Sequence, residues 1–229
     1  MLKPMVKRGL MLDFIPDKIS SSTLIDKNRI YAVNNKPIMD GDIVYLSSRE
    51  LRLEDNWAVV YGLELAKKNK KKFRIIVIKE LISHSEKQLP LLNEGLNFFQ
   101  KNSALHNVDF RIVSQIPSNI GALIVDFGPI CNKQNLFKDF DHAVFEIDSH
   151  NIVPARFISQ KQEFSAATLR RKIYANIAGF MVEFPNVLET YSNKYIDKMN
   201  EFIEKKLDFY AENRNFVYKD VTSNLSPYF

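Results

Sequence analysis

The chain is short of the residues that staple or punctuate small folds. Among its 229 residues there is one cysteine (Cys131), with 7 glycines, 9 prolines and one tryptophan (Trp57). A single thiol closes no internal disulfide and builds no cysteine-based zinc site, and it suits a reducing cytosol or nucleus. The four histidines, His84, His106, His142 and His150, show no HxxxH or HExxH spacing, so no metal site is expected. Scarce glycine and proline remove collagen-like and linker-like readings. Long apolar runs are missing too. Ile75–Ile78 and Ala122–Val125 fall far short of the ~20 residues that cross a bilayer, so a soluble chain with no membrane partner is expected. Lys7, Arg8 and Asp13 interrupt Met1–Ile15, and no small-residue cleavage pattern follows, which argues against a secretory signal.

What is present is globular in composition, with 45% hydrophobic and 26% charged residues. The length allows one large domain, or one domain and a fragment, at roughly 100–200 residues per domain. Lys and Arg number 32 against 27 Asp and Glu, and the resulting net charge of +5 permits a polyanionic partner without requiring one. The densest basic cluster is Lys67, Lys68, Lys70, Lys71 and Lys72. It reads as a solvated helix end whose charges complement the helix dipole. The interleaved aromatics of a single-strand binder are absent from it.

Residues 1–40 read as an irregular arm, with turn chemistry at Ser20–Thr23 and Asn34–Pro37. Asp40-Gly41-Asp42 then launches an alternation. Ile43–Leu46 is a buried strand. Asp55 or Asn56 caps a helix carrying Trp57, Val60, Tyr61, Leu63 and Leu65 and ending near Lys70. Phe73–Ile78 is a second strand, and Glu86–Asn102 a second helix with Pro90 in its first turn. Val108–Val113, Ala122–Val125 and Ala143–Ile147 are three more strands. The pattern predicts an open, mostly parallel five-stranded α/β sheet with helices on both faces over residues 41–160. In such sheets ligands bind beyond the carboxyl ends of the strands. Those ends are Ser47–Arg49, Lys79–Glu80, Ser114–Gln115, Asp126–Gly128 and Asp148–His150. Residues 161–229 are helical in tendency, with amphipathic stretches at Ser165–Phe184 and Thr190–Phe216; the second carries Tyr195, Met199, Phe202, Ile203 and Leu207.

The common nucleotide signatures are absent. No GxxxxGK[ST] loop occurs, and Leu46-Ser47-Ser48-Arg49-Glu50 stands where a dinucleotide-binding sheet carries GxGxxG. No GxSxG elbow is found. An unrelated α/β protein taking ATP or AMP at its strand ends remains an alternative, unsupported by any glycine-rich loop.

Four longer strings go further. Arg49-Glu50-Leu51-Arg52-Leu53-Glu54-Asp55-Asn56-Trp57-Ala58-Val59-Val60-Tyr61 resembles the R-x-x-R-x-E-D-N-W-A-L-x-Y string of the class II DNA photolyases. Asp148-Ser149-His150-Asn151-Ile152-Val153-Pro154 resembles that family's D-A-H-N-x-V-P, with Ser149 in place of alanine. Glu163 to Ile173 is similar to E-Y-A-A-x-T-x-R-P-K-I, with Arg171 in place of proline. Thr222 to Phe229 is similar to the start of the family's flavin-binding half. The strings occur in family order.

The resemblance implies a Rossmann-like antenna domain followed by a helical connector and the start of an FAD-binding domain. The implied activity is light-driven splitting of cyclobutane pyrimidine dimers in UV-damaged DNA by reduced FAD, with a deazaflavin or folate pigment as possible antenna. Family positions that contact FAD fall on Tyr210, Thr222, Ser223, Asn224, Leu225 and Ser226; ordinary capping ahead of Pro227 is the structural alternative for the last five. No catalytic residue is assigned. The chain is expected to be a truncated or split product, inactive alone, with a separately encoded flavin half as partner. The competing reading is a non-enzymatic pigment-binding or docking module. Trp57 reads as a core aromatic rather than an electron relay. Arg49 and Arg52 read as ion-pair partners of Glu50, Glu54 and Asp55. Asp126 and Asp148 are left open between pigment contact and turn capping. Arg170 has a family counterpart. Leu46-Ser47-Ser48 departs from the aromatic and methionine residues usual there, which weakens the antenna expectation.

Overall fold

The computed structural model describes residues 24–82, 86–128, 136–159, 163–185, 187–188, 194–216 and 218–222. Cys131, His84, most of the arm and Ser223–Ser226 lie outside the described residues. The chain divides into two compact units at Leu188.

In the first unit the strands are β1 (Ile30–Ala32), β2 (Asp42–Leu46), β3 (Phe73–Val77), β4 (Asp109–Ile112), β5 (Ile120–Asp126) and β6 (Ala143–Ile147). They form one six-stranded sheet in the order β1-β6-β5-β2-β3-β4. Every pairing from β4 across to β6 is parallel. This is the expected five-stranded sheet. To it the arm adds β1, antiparallel to β6, with Ile30 opposite Ile147. So short an edge strand carries little periodic signal, although Ile30-Tyr31-Ala32-Val33 is apolar enough to pair.

Helix α1 (Trp57–Asn69) joins β2 to β3, and α2 (Leu89–Leu105) joins β3 to β4. Asn56, not Asp55, caps α1: its side chain accepts from the N–H groups of Ala58 and Val59. The helix stops where Lys70 turns left-handed, and its lysine-rich last turn places cations at the negative dipole end. Pro90 fixes the start of α2 later than Glu86. The left-handed Asn107 lies just beyond its end.

Side chains alternate across the sheet and make two cores. Ile43, Tyr45, Ile75, Ile124, Phe145 and Ile147 pack with α1 and with Phe99 of α2. Val44, Leu46, Ile76, Leu123, Val125 and Val144 face the other way, against Val33, Val113, Ile116, Phe137 and Phe140. Gly62 lets α1 settle directly on β3, because a Cβ there would meet the Phe73 ring at 2.2 Å.

Past β6 comes a single helical turn, α3 (Ala155–Ile158), and then α4 (Ala166–Phe180), capped by Ser165. Helix α4 ends at Phe180, short of the expected Phe184, because Met181 leaves helical geometry at ψ 73°. In the second unit, the predicted long helix is two: α5 (Lys194–Lys205) and α6 (Leu207–Asn213), parted where Lys206 leaves helical geometry at φ −125°. Thr190 and the Tyr195 side chain lie outside the described residues. No described helix is long and apolar enough to cross a membrane.

Candidate functional site

Strand order locates the place to look. From β2 the chain moves outward through β3 and β4, then returns to the other side of β2 as β5 and continues to β6. Between the carboxyl ends of β2 and β5 the direction reverses, and a crevice opens there in α/β sheets.

Asp126, the last residue of β5, stands at that position. Its side chain is almost fully buried, with 1% of the residue exposed. One carboxylate oxygen accepts from the backbone N–H groups of Ser48 at 2.8 Å, Arg49 at 2.8 Å and Glu50 at 3.4 Å. The Ser48 hydroxyl adds a longer contact at 3.4 Å. The other oxygen takes the phenol of Tyr45. Burial first, and then the adjacent carboxylate, push the Tyr45 hydroxyl well above its ordinary value, so it stays protonated and donates. Asp126 therefore caps a turn, but the one after β2 rather than its own.

Next to it the first two family-like strings meet. Asn56 holds the first N–H groups of α1, and the Ser149 hydroxyl accepts from Ala58 N–H at 3.0 Å. The Ser149 hydroxyl also donates to the Asn56 side-chain oxygen at 3.3 Å. The Asn56 amide donates to Arg52 O at 2.9 Å. Buried Glu50 joins the strings a second time, pairing with Arg52 on one side and with His150 Nδ1 at 3.0 Å on the other. The structure thus places Arg52 in an ion pair, as expected, and its guanidinium also donates to Asp55 O. Arg49 enters through its backbone. Asp148 caps its own turn, accepting from Asn151 N–H at 3.1 Å and from Ala155 N–H, which opens α3, at 2.8 Å. Two residues left open between pigment contact and capping are thus seen to cap.

Several contributors were invisible in the sequence. Arg29, in the arm, is buried and donates to the carbonyls of Asp148, Asn151 and Ile152 at 3.0, 2.8 and 2.6 Å. Burial pulls its guanidinium below the ordinary value, against the opposite pull of Asp148 and Asp26. Buried Glu146 pairs with Arg156, which lies over the Tyr31 ring at 4.3 Å. The only hint of Arg29 was a cation beside a short apolar run. Glu146 broke the apolar β6 string, a usable sign of a paired buried acid.

Trp57 is buried and stacks on Phe184 with ring centroids 4.1 Å apart, and the Arg29 guanidinium sits 5.0 Å over its ring. It is a core aromatic that fastens the segment after α4. The third string closes on itself: Glu163 binds Lys172 and the Ser159 hydroxyl, and Ser165 caps α4 through Thr168. Arg170 and Arg171 are both exposed.

Of the six flavin candidates, Tyr210 and Thr222 are described, both in the second unit. Tyr210 lies on α6 with its ring edge-on to Phe202, centroids 5.6 Å apart. Ser223, Asn224, Leu225 and Ser226 lie outside the described residues. Hydroxyls of tyrosine and threonine suit phosphate or ribose oxygens chemically. Two such groups do not define a flavin cradle, so no reaction step can be assigned to them.

No protein-family profile matches the chain. Curated relatives do. The chain is 26% identical over 238 aligned residues to a deoxyribodipyrimidine photo-lyase of Potorous tridactylus, an alignment covering 81% of this chain and 45% of the relative. It is 28% identical over 179 residues to one from Arabidopsis thaliana, covering 70% and 36%. With one from Oryza sativa subsp. japonica the identity is 29% over 169 residues, covering 64% and 33%. The chain spans less than half the length of these three relatives.

Proposed function

The chain is a relative of the deoxyribodipyrimidine photo-lyases, and we propose that it serves as the α/β portion of a light-driven DNA-repair enzyme of that kind. The substrate would be cyclobutane pyrimidine dimers in UV-damaged DNA, and the photochemistry would be that of reduced FAD. The observation that carries the reading is the meeting of two family-like strings. Arg49–Tyr61 and Asp148–Pro154 are far apart in the chain, yet they interlock through Asn56 with Ser149 and Glu50 with His150. Chance resemblance of isolated strings would not favour such joint placement at one sheet edge. The role this gives the strings is architectural: they fix the start of α1 and the exit from β6.

The test supplies the 229-residue chain with the flavin-binding portion of a curated relative. UV-irradiated oligothymidylate is then illuminated, and dimer loss is followed by absorbance. Light-dependent repair by the mixture, and not by that portion alone, is the expected result. Absence of both repair and association would overturn the reading.

A second reading, a docking or pigment-binding module without catalysis, draws on exposed apolar side chains. Phe164, Tyr174 and Met181 are 96%, 69% and 68% exposed in the first unit. Apolar surface of this kind marks contact sites. Association with the flavin-binding portion without any gain in repair would favour this reading.

A further inference from the structure

We propose that Asp126 is a built-in anion occupying the position where an α/β sheet of this topology receives a phosphate, so that this unit rejects nucleotide phosphates at its switch point. The inference stands on the sheet alone and does not depend on photolyase activity.

The turn after β2 presents three successive N–H groups, from Ser48, Arg49 and Glu50, that converge on one carboxylate oxygen. Convergent backbone N–H groups of this kind form a concave nest for anionic oxygens, the arrangement by which phosphate-binding loops work. The nest lies at the crevice where ligands enter open α/β sheets. Its occupant is covalent: Asp126 arrives from the neighbouring strand β5, in register with β2. Among the described residues, the hydrogen bonds to its two oxygens come from neutral donors, namely three N–H groups, the Ser48 hydroxyl and the Tyr45 phenol. A second anion brought to the same N–H groups would meet a buried like charge at contact distance. It would find no open donor among them, since each already points at Asp126.

The sequence around the nest agrees. Close approach of a phosphate to backbone favours glycine, and Ser47-Ser48-Arg49-Glu50 contains none. Asp126 is therefore a specificity-determining residue in a negative sense. It holds the turn as a phosphate would, and it closes the crevice to ATP, AMP or a phosphate-bearing cofactor.

Chemical rescue tests this. Asp126→Ala removes the carboxylate and leaves the nest empty. At about 100 mM formate or acetate, compared with chloride at equal ionic strength, the melting temperature of the variant should rise by roughly 3 °C or more, with inorganic phosphate as a larger probe. The wild type should show no difference among the anions. Trp57 fluorescence of the wild type should not respond to ATP or AMP. If the variant does not fold in chloride, the readout becomes the yield of refolded protein in formate over chloride, with a gain expected. Equal behaviour of formate and chloride on the variant, by melting or by yield, overturns the proposal. So does saturable binding of ATP or AMP to the wild type that Asp126→Ala leaves unchanged.

Discussion

Asn56 and Ser149, 93 positions apart, hold the same backbone N–H: that of Ala58 donates to the Asn56 side-chain oxygen at 2.9 Å and to the Ser149 hydroxyl at 3.0 Å. The start of α1 is thus fixed both by its own cap and by the strand exit of β6.

The two partners are not equivalent, and substitution should separate them. Asn56 also serves Val59 N–H and donates to Arg52 O, so Asn56→Ala strips a cap and leaves buried polar groups unpaired. A loss of about 2–4 kcal/mol is expected. Ser149→Ala removes one shared acceptor and installs the alanine of the family string; about 0.5–1.5 kcal/mol is expected. Urea unfolding midpoints of the two variants check this. Equal losses would mean that Ser149 secures the helix start as strongly as the cap does.

The buried phenol of Tyr61 is a different case. Its hydroxyl has no hydrogen-bond partner among the described residues, and burial first, then Glu64, raise it above the usual tyrosine value. The ring meets Phe145 edge-on at 5.7 Å, a contact phenylalanine preserves. Tyr61→Phe should therefore leave stability unchanged or raise it by about 1 kcal/mol. A clear loss in thermal or urea unfolding would show that the hydroxyl is bonded in solution.

Gly62 tests how closely α1 lies on the sheet. An added Cβ would stand 2.2 Å from the Phe73 ring edge. Helix propensity favours alanine by about 1 kcal/mol, but overpacking costs roughly 1–3 kcal/mol, so Gly62→Ala should destabilise on balance. Phe73→Leu in the same chain should recover part of the loss. Additive effects in the double-mutant cycle would show that the two sites do not touch.

What the sequence revealed and what it hid follow from period and range. The strands β2, β3, β5 and β6 are apolar runs bounded by turn residues, and α1 shows a helical stripe, so the parallel sheet was legible. Tertiary chemistry was not. Nothing local says that Asp126 of β5 serves a turn on β2, or that Arg29 of the arm reaches three carbonyls near Asp148. The strings Arg49–Tyr61 and Asp148–Pro154 were visible as patterns. Their role emerged only when Asn56 and Glu50 were seen to bind Ser149 and His150. Arg52 forms the ion pair its neighbours suggested, and Asp148, left open between pigment contact and capping, holds backbone N–H groups.

Acid should probe the loop ahead of α4. Hydrogen bonds from Lys172 and then the Ser159 hydroxyl hold the Glu163 carboxyl at about 2, against 4.5 for the free side chain. A carboxyl depressed on folding stabilises the ionised fold. Its contribution is complete above the unfolded value and disappears as pH falls through the folded one. The difference in urea midpoint between the wild type and Glu163→Gln should accordingly be constant from neutral pH down to about 5, then shrink, and nearly vanish by about pH 2. Because the pair is partly open to solvent, the gap should also narrow in high salt at neutral pH. A gap that stays constant with pH would mean that the shape of Glu163, and not its charge, fastens Ser159 and Lys172.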